Sequence, residues 1–267
     1  MTKIAFLGAG NIAQAIMGGL IDNGFDPSAI TACDPVPECT DRASERGISI
    51  AASNDEAIAS ADVVMLCVKP NIITDLLAAI DVDLGDKMLI SVAAGITTDT
   101  IGGCVPPGTA IVRCMPNTPA LVREGMTAMY ATPGVSAAQK ETADSILSAV
   151  GRALWVDSED SLDAVTAVSG SGPAYFFLLM ESMIAAAESE GLSPDVAREL
   201  VLQTALGAAQ MASESDQDPG TLRVQVTSPG GTTQAALEHF EAAGFADTVR
   251  DAVARARIRS VELSGTD

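Results

Sequence analysis

A short apolar run, Ile4-Ala-Phe-Leu7, ends in Gly8-Ala9-Gly10-Asn11-Ile12-Ala13 and leads into helical periodicity through Asn23. Few folds accept that succession. Gly8 permits a tight turn, Gly10 lets a bound pyrophosphate come close to the backbone, and Ala13 lets the helix pack close to the strand. The helix N-terminus then presents its free N–H groups to the phosphates. A lone G-x-G-x-x-A is a weak signal. A strand before it and a helix after it are the context that gives it weight.

The next 150 residues repeat the alternation. Ile30–Cys33, Asp62–Val68, Met88–Ala93 and Thr109–Cys114 read as strands, with helical segments near 38–46, 55–60, 71–80 and 97–103 between them. Asp62-Val-Val-Met-Leu-Cys-Val68 is apolar throughout after its first residue, as a strand covered on both faces must be. Gly125–Ala131 and Ala153–Asp157 complete the series around a helix at 136–149. The expected fold is α/β: an N-terminal doubly wound sheet of Rossmann type over residues 1–160.

Strand signals then stop. Ala-, Leu- and Met-rich segments follow at 161–168, 173–190, 194–213, 219–226, 232–242 and 245–263, separated by Gly, Pro and Ser. Residues 161–267 are expected to form an all-helical domain. Phe176-Phe-Leu-Leu-Met180 with Met183-Ile184 makes one helix apolar nearly all round. Such a helix must be buried, against a second subunit or inside its own chain.

Charge limits the partners. The chain carries a formal −20 with a pI near 4.2, and its four lysines are Lys3, Lys69, Lys87 and Lys140. That balance repels nucleic acid and anionic membranes. It also suits a cytoplasm of high or fluctuating salt. Five scattered cysteines without C-x-x-C spacing point away from disulfides and zinc. No leader precedes Lys3 and no run of 18 apolar residues occurs, so a cytoplasmic location is expected.

A second anion-binding turn lies near the other end. Val226-Thr-Ser-Pro-Gly-Gly-Thr-Thr-Gln-Ala-Ala-Leu-Glu238 places Pro229-Gly230-Gly231 ahead of a helix and crowds four hydroxyls around it. Glycines before a helix form a nest that holds a carboxylate or phosphate without a lysine. Missing residues narrow the chemistry. The single histidine, His239, lies inside that helix, and no lysine follows Lys140. Reducing a ketone calls for a general acid, usually His or Lys. An imine nitrogen is basic enough to arrive protonated, so orientation and one hydroxyl partner suffice.

Asp34 ends the second strand. An acid there accepts from the ribose 2′-OH of NAD and repels a 2′-phosphate, which tilts the expected cofactor toward NADH; alternatively Asp34 caps the turn with Pro35. Lys69 either approaches the cofactor or is a solvated turn lysine. Arg113 and Arg123 either meet anions or answer the acidic surface. Ser169-Gly-Ser-Gly-Pro173 either faces substrate or separates two helices.

Taken in order, Gly8–Ala13, Val68-Lys69-Pro70, Ala93-Ala-Gly95, Arg113–Pro119, Ser169–Ala174 and Thr227–Thr233 resemble pyrroline-5-carboxylate reductases over nearly the whole chain. The resemblance implies reduction of (S)-1-pyrroline-5-carboxylate to L-proline by NAD(P)H, the last step of proline biosynthesis. It implies cofactor contacts at Gly8, Gly10, Asn11, Ile12, Asp34, Asn54, Val68, Lys69, Pro70, Ala93 and Asn117. It gives Thr233 the imine nitrogen. Ser228, Gly230, Gly231 and Thr232 go with the substrate carboxylate, and Ser228 and Thr233 carry the catalysis. It implies a homodimer through the helical domain, often assembled as a ring of five dimers. Members of that family often prefer NADPH and place small or basic residues after the second strand, from which Asp34 departs. The alternatives are a reductase of a related cyclic imino acid and a non-catalytic nicotinamide-binding protein.

Overall fold

The computed structural model describes residues 1–265, so the last two residues of the expected 161–267 domain lie outside the described residues. Cα packing divides the chain into two compact units, one of residues 1–171 with 256 onward and one of residues 172–255. The last strand ends at Trp155 and the next helix begins at Ser161, while the packing boundary comes at 171/172.

The first unit is built on an eight-stranded sheet. Its strands are β1 (Ile4–Leu7), β2 (Ile30–Cys33), β3 (Ser49–Ile50), β4 (Val63–Leu66), β5 (Met88–Ser91), β6 (Ala110–Met115), β7 (Gly125–Ala131) and β8 (Gly151–Trp155), in the order β3-β2-β1-β4-β5-β6-β7-β8. All neighbours run parallel except β6 and β7, which are antiparallel. The order reverses between β1 and β4, the switch point at which doubly wound sheets bind ligands.

Alternate residues feed two layers. Ile4 and Phe6 pack with α1 (Asn11–Asp22), α2 (Pro37–Ser44) and α6 (Ala137–Leu147). Ala5 and Leu7 pack on the other face with α3 (Asn54–Ala59), α4 (Ile73–Ala78) and α5 (Thr98–Gly102). β1 is fully buried, as its uninterrupted apolar run requires, and Ile4, Phe6 and Leu7 each contribute about 1.5–3 kcal/mol by leaving water. β3 has no counterpart in the sequence reading: it is two exposed residues on the sheet edge and carries no alternation to find. The helix expected at 71–80 begins as a tight turn at Pro70–Ile72, with Pro70 in its first turn, and continues as α4. The segment expected at 161–168 is α7 (Ser161–Val165), followed by a π-helical turn at Thr166–Gly170.

The second unit holds α8 (Gly172–Ser189), α9 (Pro194–Glu214), α10 (Pro219–Gln225) and α11 (Thr232–Ala242), plus the first part of α12 (Phe245–Ser264). Only Gly172 of α8 is buried. Phe176, Phe177, Leu178 and Met183 are exposed, which overturns burial inside the one chain and leaves this face for a partner. Among the described residues no helix is long and apolar enough to cross a membrane.

Candidate active site

Gly8 must be glycine for the fold itself. Its φ is +94°, and a Cβ would sit 2.5 Å from the Cys67 carbonyl oxygen. Gly10 is different. Its φ is an ordinary −68°, and a Cβ there would meet nothing within 4 Å. Its glycine leaves open space above the start of α1, where a pyrophosphate would need to approach. No side chain caps α1 and no acid lies in its first turn, so its leading N–H groups and dipole are open to an anion. Asn11 and Ile12 open that turn. These features fit a dinucleotide.

The neighbouring residues are less uniform. Asp34 Oδ2 accepts from the Ala9 N–H at 2.7 Å, and Oδ1 accepts from the Val36 N–H at 2.8 Å. The turn-capping role is therefore present, and the same carboxylate fastens the glycine loop to the end of β2. Asn54 opens α3, half-buried, behind the capping Ser53. Val68 and Pro70 flank Lys69, which is exposed and forms no ion pair among the described residues. Ala93 is buried just past β5.

Asn117 has a more internal employment than the sequence suggests. Its Nδ2 donates to the Ser169 carbonyl at 3.0 Å, and its Oδ1 accepts from the Met126 N–H at 2.8 Å. The side-chain amide thus holds the π-helical turn and the start of β7 in place. Gly170 sits against the Met115 side chain, where a Cβ would lie 2.6 Å from Cε. Ser169–Pro173 is therefore, at least, the joint between α7 and α8. The two arginines also have internal partners: Arg113 pairs with Glu159 at 2.8 Å, and Arg123 pairs with Asp22. Neither is left for an external anion.

In the second unit the turn before α11 departs from the expected nest. The Gly230 N–H donates to Gln234 Oε1 at 2.7 Å, and the Gly231 N–H donates to the Ser228 carbonyl at 3.0 Å. Both amides are used within the turn. Gly230 has φ +71°, which its lack of a Cβ permits. The open N–H groups lie one step further on, at Thr232 and Thr233, the first residues of α11. No side chain caps this helix and no acid lies in its first turn. Ser228, Thr232 and Thr233 are exposed, and the Thr233 hydroxyl has no hydrogen-bond partner among the described residues. Thr227 instead donates its hydroxyl to the Arg223 carbonyl at 2.6 Å.

Among the described residues, α1 and α11 are the two helices that open on a glycine N-cap with no capping side chain and no acid in the first turn. The other α-helix starts with a defined cap have a side-chain cap, a nearby acid, or both. In a chain with charge −20, two helix starts whose own first turns carry no acid suit anions, although at α1 the Asp34 carboxylate already holds the Ala9 N–H just ahead of the cap.

Comparison with known proteins gives a consistent picture. The pyrroline-5-carboxylate reductase dimerisation family matches residues 159–263, and the family described as NADP oxidoreductase coenzyme F420-dependent matches residues 3–95. A pyrroline-5-carboxylate reductase of Pseudomonas aeruginosa is 50% identical over 264 residues, covering 98% of this chain and 97% of its own. The structure of a pyrroline-5-carboxylate reductase from Coxiella burnetii superimposes with a TM-score of 0.94 at 41% identity, covering 99% of each chain. That of Plasmodium falciparum pyrroline carboxylate reductase with NADP bound gives 0.87 at 32% identity, covering 99% of this chain and 98% of its own.

Proposed function

The chain belongs to the pyrroline-5-carboxylate reductase family, and from that premise we infer how its own residues divide the work. It reduces (S)-1-pyrroline-5-carboxylate to L-proline with NAD(P)H, in proline biosynthesis, and acts as a homo-oligomer. The observation that carries the site assignment is the pair of clear helix starts, at Gly10 and at Gly231.

At the first, Gly10, Asn11 and Ile12 hold the dinucleotide phosphates by backbone N–H groups and the α1 dipole, while Gly8, whose own N–H donates to the Cys33 carbonyl, shapes the turn that brings them there. Asn54, Val68, Lys69, Pro70 and Ala93 line the same carboxyl edge of the sheet. Asn117 acts at one remove, through the turns it fastens. At the second, the N–H groups of Thr232 and Thr233 with the Ser228 hydroxyl take the substrate carboxylate, and Gly230 and Gly231 shape the turn that exposes them. The bound NAD(P)H supplies a hydride to the C=N carbon. The unpartnered Thr233 hydroxyl oxygen accepts from the N–H of the protonated imine, whose nitrogen becomes the secondary amine of proline. No histidine or lysine is needed, because the imine takes up its proton before the hydride.

The finer readings belong to the same proposal. Asp34 tilts the cofactor choice toward NADH, since its charge opposes a 2′-phosphate. The exposed face of α8 closes a homodimer, five of which form a ring. The site of action is the cytoplasm.

Oxidation of NADH and NADPH, run in parallel with pyrroline-5-carboxylate, tests the function. Proline is the expected product. Folded protein that binds either nucleotide yet turns over no substrate would overturn it.

A further inference from the structure

Glu159 lies in an acidic stretch, Asp157-Ser-Glu-Asp160, between β8 and α7. Unlike its neighbours it turns inward. Its Oε1 accepts from Arg113 at 2.8 Å and from the Thr98 N–H at 2.8 Å, and its Oε2 accepts from the Thr98 hydroxyl at 2.5 Å. Arg113 and Thr98 are each only 6% exposed. One carboxylate therefore ties the end of β6 to the start of α5.

Thr98 ends the loop that leaves β5 at Val92, the loop carrying Ala93 and Gly95. Within it, Ala94, Gly95 and Ile96 make no hydrogen bond to another element among the described residues. Its outer supports are two. Gly95, at φ +76°, has the Leu263 carbonyl of α12 beside it, 3.3 Å from where a Cβ would stand. α12 is itself pinned to α7 by the Ser260 hydroxyl, which donates to Asp163 at 2.6 Å. The second support is the Glu159 carboxylate at Thr98.

The strand order says what this loop is near. A dinucleotide at the switch point spreads its adenosine half over β1, β2 and β3 and its nicotinamide half over β4 and β5. The loop after β5 stands at the nicotinamide half. A buried ion pair adds little net stability compared with apolar residues of similar size, because desolvation offsets the attraction. What this one does supply is a fixed position for Thr98.

We propose that Glu159, oriented by Arg113, is a positioning residue for hydride transfer: it sets the Val92–Thr97 loop against the nicotinamide half of the cofactor. The proposal rests on the reading that Ala93 meets the cofactor. Glu159 touches neither cofactor nor substrate in this role.

The test uses the full-length protein as Glu159→Gln and Thr98→Val, the second removing one hydroxyl and sparing the ion pair. Three readouts are taken: kcat with its isotope effect from NADPH deuterated at C4, the Kd for NADPH, and the Kd for 2′-phospho-ADP-ribose, which lacks nicotinamide. Misplacing a reacting group lowers turnover, so Glu159→Gln should lose roughly tenfold in kcat and Thr98→Val about threefold, both with a larger isotope effect. NADPH should bind more weakly while the fragment binds as in the wild type. If Glu159→Gln does not fold, Thr98→Val decides alone. Unchanged kcat, isotope effect and NADPH affinity in the folded variants would reduce Glu159 to a structural ion pair. Wild-type turnover, measured alongside, reports separately on the function, and the two nucleotide affinities read the loop without it.

Discussion

The carboxylate of Asp34 accepts a 2.7 Å hydrogen bond from the backbone N–H of Ala9 and so ties the end of β2 to the glycine loop. The residue proposed to weigh on cofactor choice is thus also part of the loop's scaffold. Asp34→Ser should do two things. It should raise the NADPH-to-NADH preference by removing the charge that opposes a 2′-phosphate. It should also weaken both nucleotides by about tenfold, the order expected for losing a hydrogen bond to a charged group. Titration calorimetry with each nucleotide separates the effects, and an unchanged ratio would remove Asp34 from cofactor discrimination.

The two glycines of the fingerprint should fail differently. At Gly8 a methyl group would lie 2.5 Å from the Cys67 carbonyl with φ at +94°, so Gly8→Ala should lose several kcal/mol of stability, by strain and overlap together. At Gly10 a methyl group meets no protein atom, so Gly10→Ala should melt within a few degrees of the wild type yet bind nucleotide far more weakly. Thermal melts beside nucleotide titrations check both. Tight binding by Gly10→Ala would show that the open space is not the phosphate site.

Thr233 is the hydroxyl proposed to meet the imine nitrogen. Thr233→Val keeps the shape and removes the hydroxyl. Loss of one positioned hydrogen-bond partner at a reacting centre typically costs 10²–10³ in turnover, so a fall of about a hundredfold is expected, with nucleotide affinity intact. Thr227→Val is the control, because that hydroxyl is engaged with the Arg223 carbonyl. Equal losses in the two variants would mean that the turn, not the Thr233 hydroxyl, is what matters.

Much of this was legible in the sequence because it is periodic or punctuated by glycine and proline. β1, β2, β7 and α11 lie where their patterns place them, and the Gly8–Ala13 turn has the geometry its spacing requires. β3 was not legible, since a two-residue exposed edge strand is fixed by pairing with β2 and not by its own pattern. Nor was Glu159, one acid among several, whose role comes from Arg113 and Thr98 far away in the chain. The turn at Gly230 was legible as a glycine turn opening a helix but not in detail. Gln234 reaches back to occupy the Gly230 N–H, which moves the open donors onto α11.

The apolar face of α8 gives a prediction about assembly. Phe176 and Phe177 are 65% and 62% exposed, an arrangement a water-facing helix would not favour. Replacing Phe177 by Glu puts a charge into a dehydrated interface and should dissociate the homo-oligomer toward smaller species. Light scattering gives the mass of each. A wild type at the mass of five dimers supports the ring. A Phe177→Glu protein of unchanged mass would place the interface elsewhere.

Two thiols set into the sheet, Cys114 buried and Cys67 half-buried, make stability depend on alkaline pH. Burial pushes Cys67 from the ordinary 9.0 up to about 12. Cys114 is raised by burial first and by Cys67 second, with Arg113 opposing, and its thiol donates to the Ser91 carbonyl at 3.2 Å. A thiol whose pKa is higher in the folded state keeps its proton after the unfolded chain has lost its own. Below pH 9 both states are protonated and the contribution is whole. Between 9 and about 12 the unfolded chain binds fewer protons, so stability falls as pH rises, by about 1.4 kcal/mol per pH unit for each thiol. Urea unfolding from pH 8 to 11 should therefore show a shallower decline in Cys67→Ala and in Cys114→Ala than in the wild type. Parallel declines in all three proteins would show that these thiols titrate alike folded and unfolded. The same burial should leave Cys114 unlabelled by a maleimide at pH 8 in the native state, while Cys39, half-buried and next to Arg42, reacts.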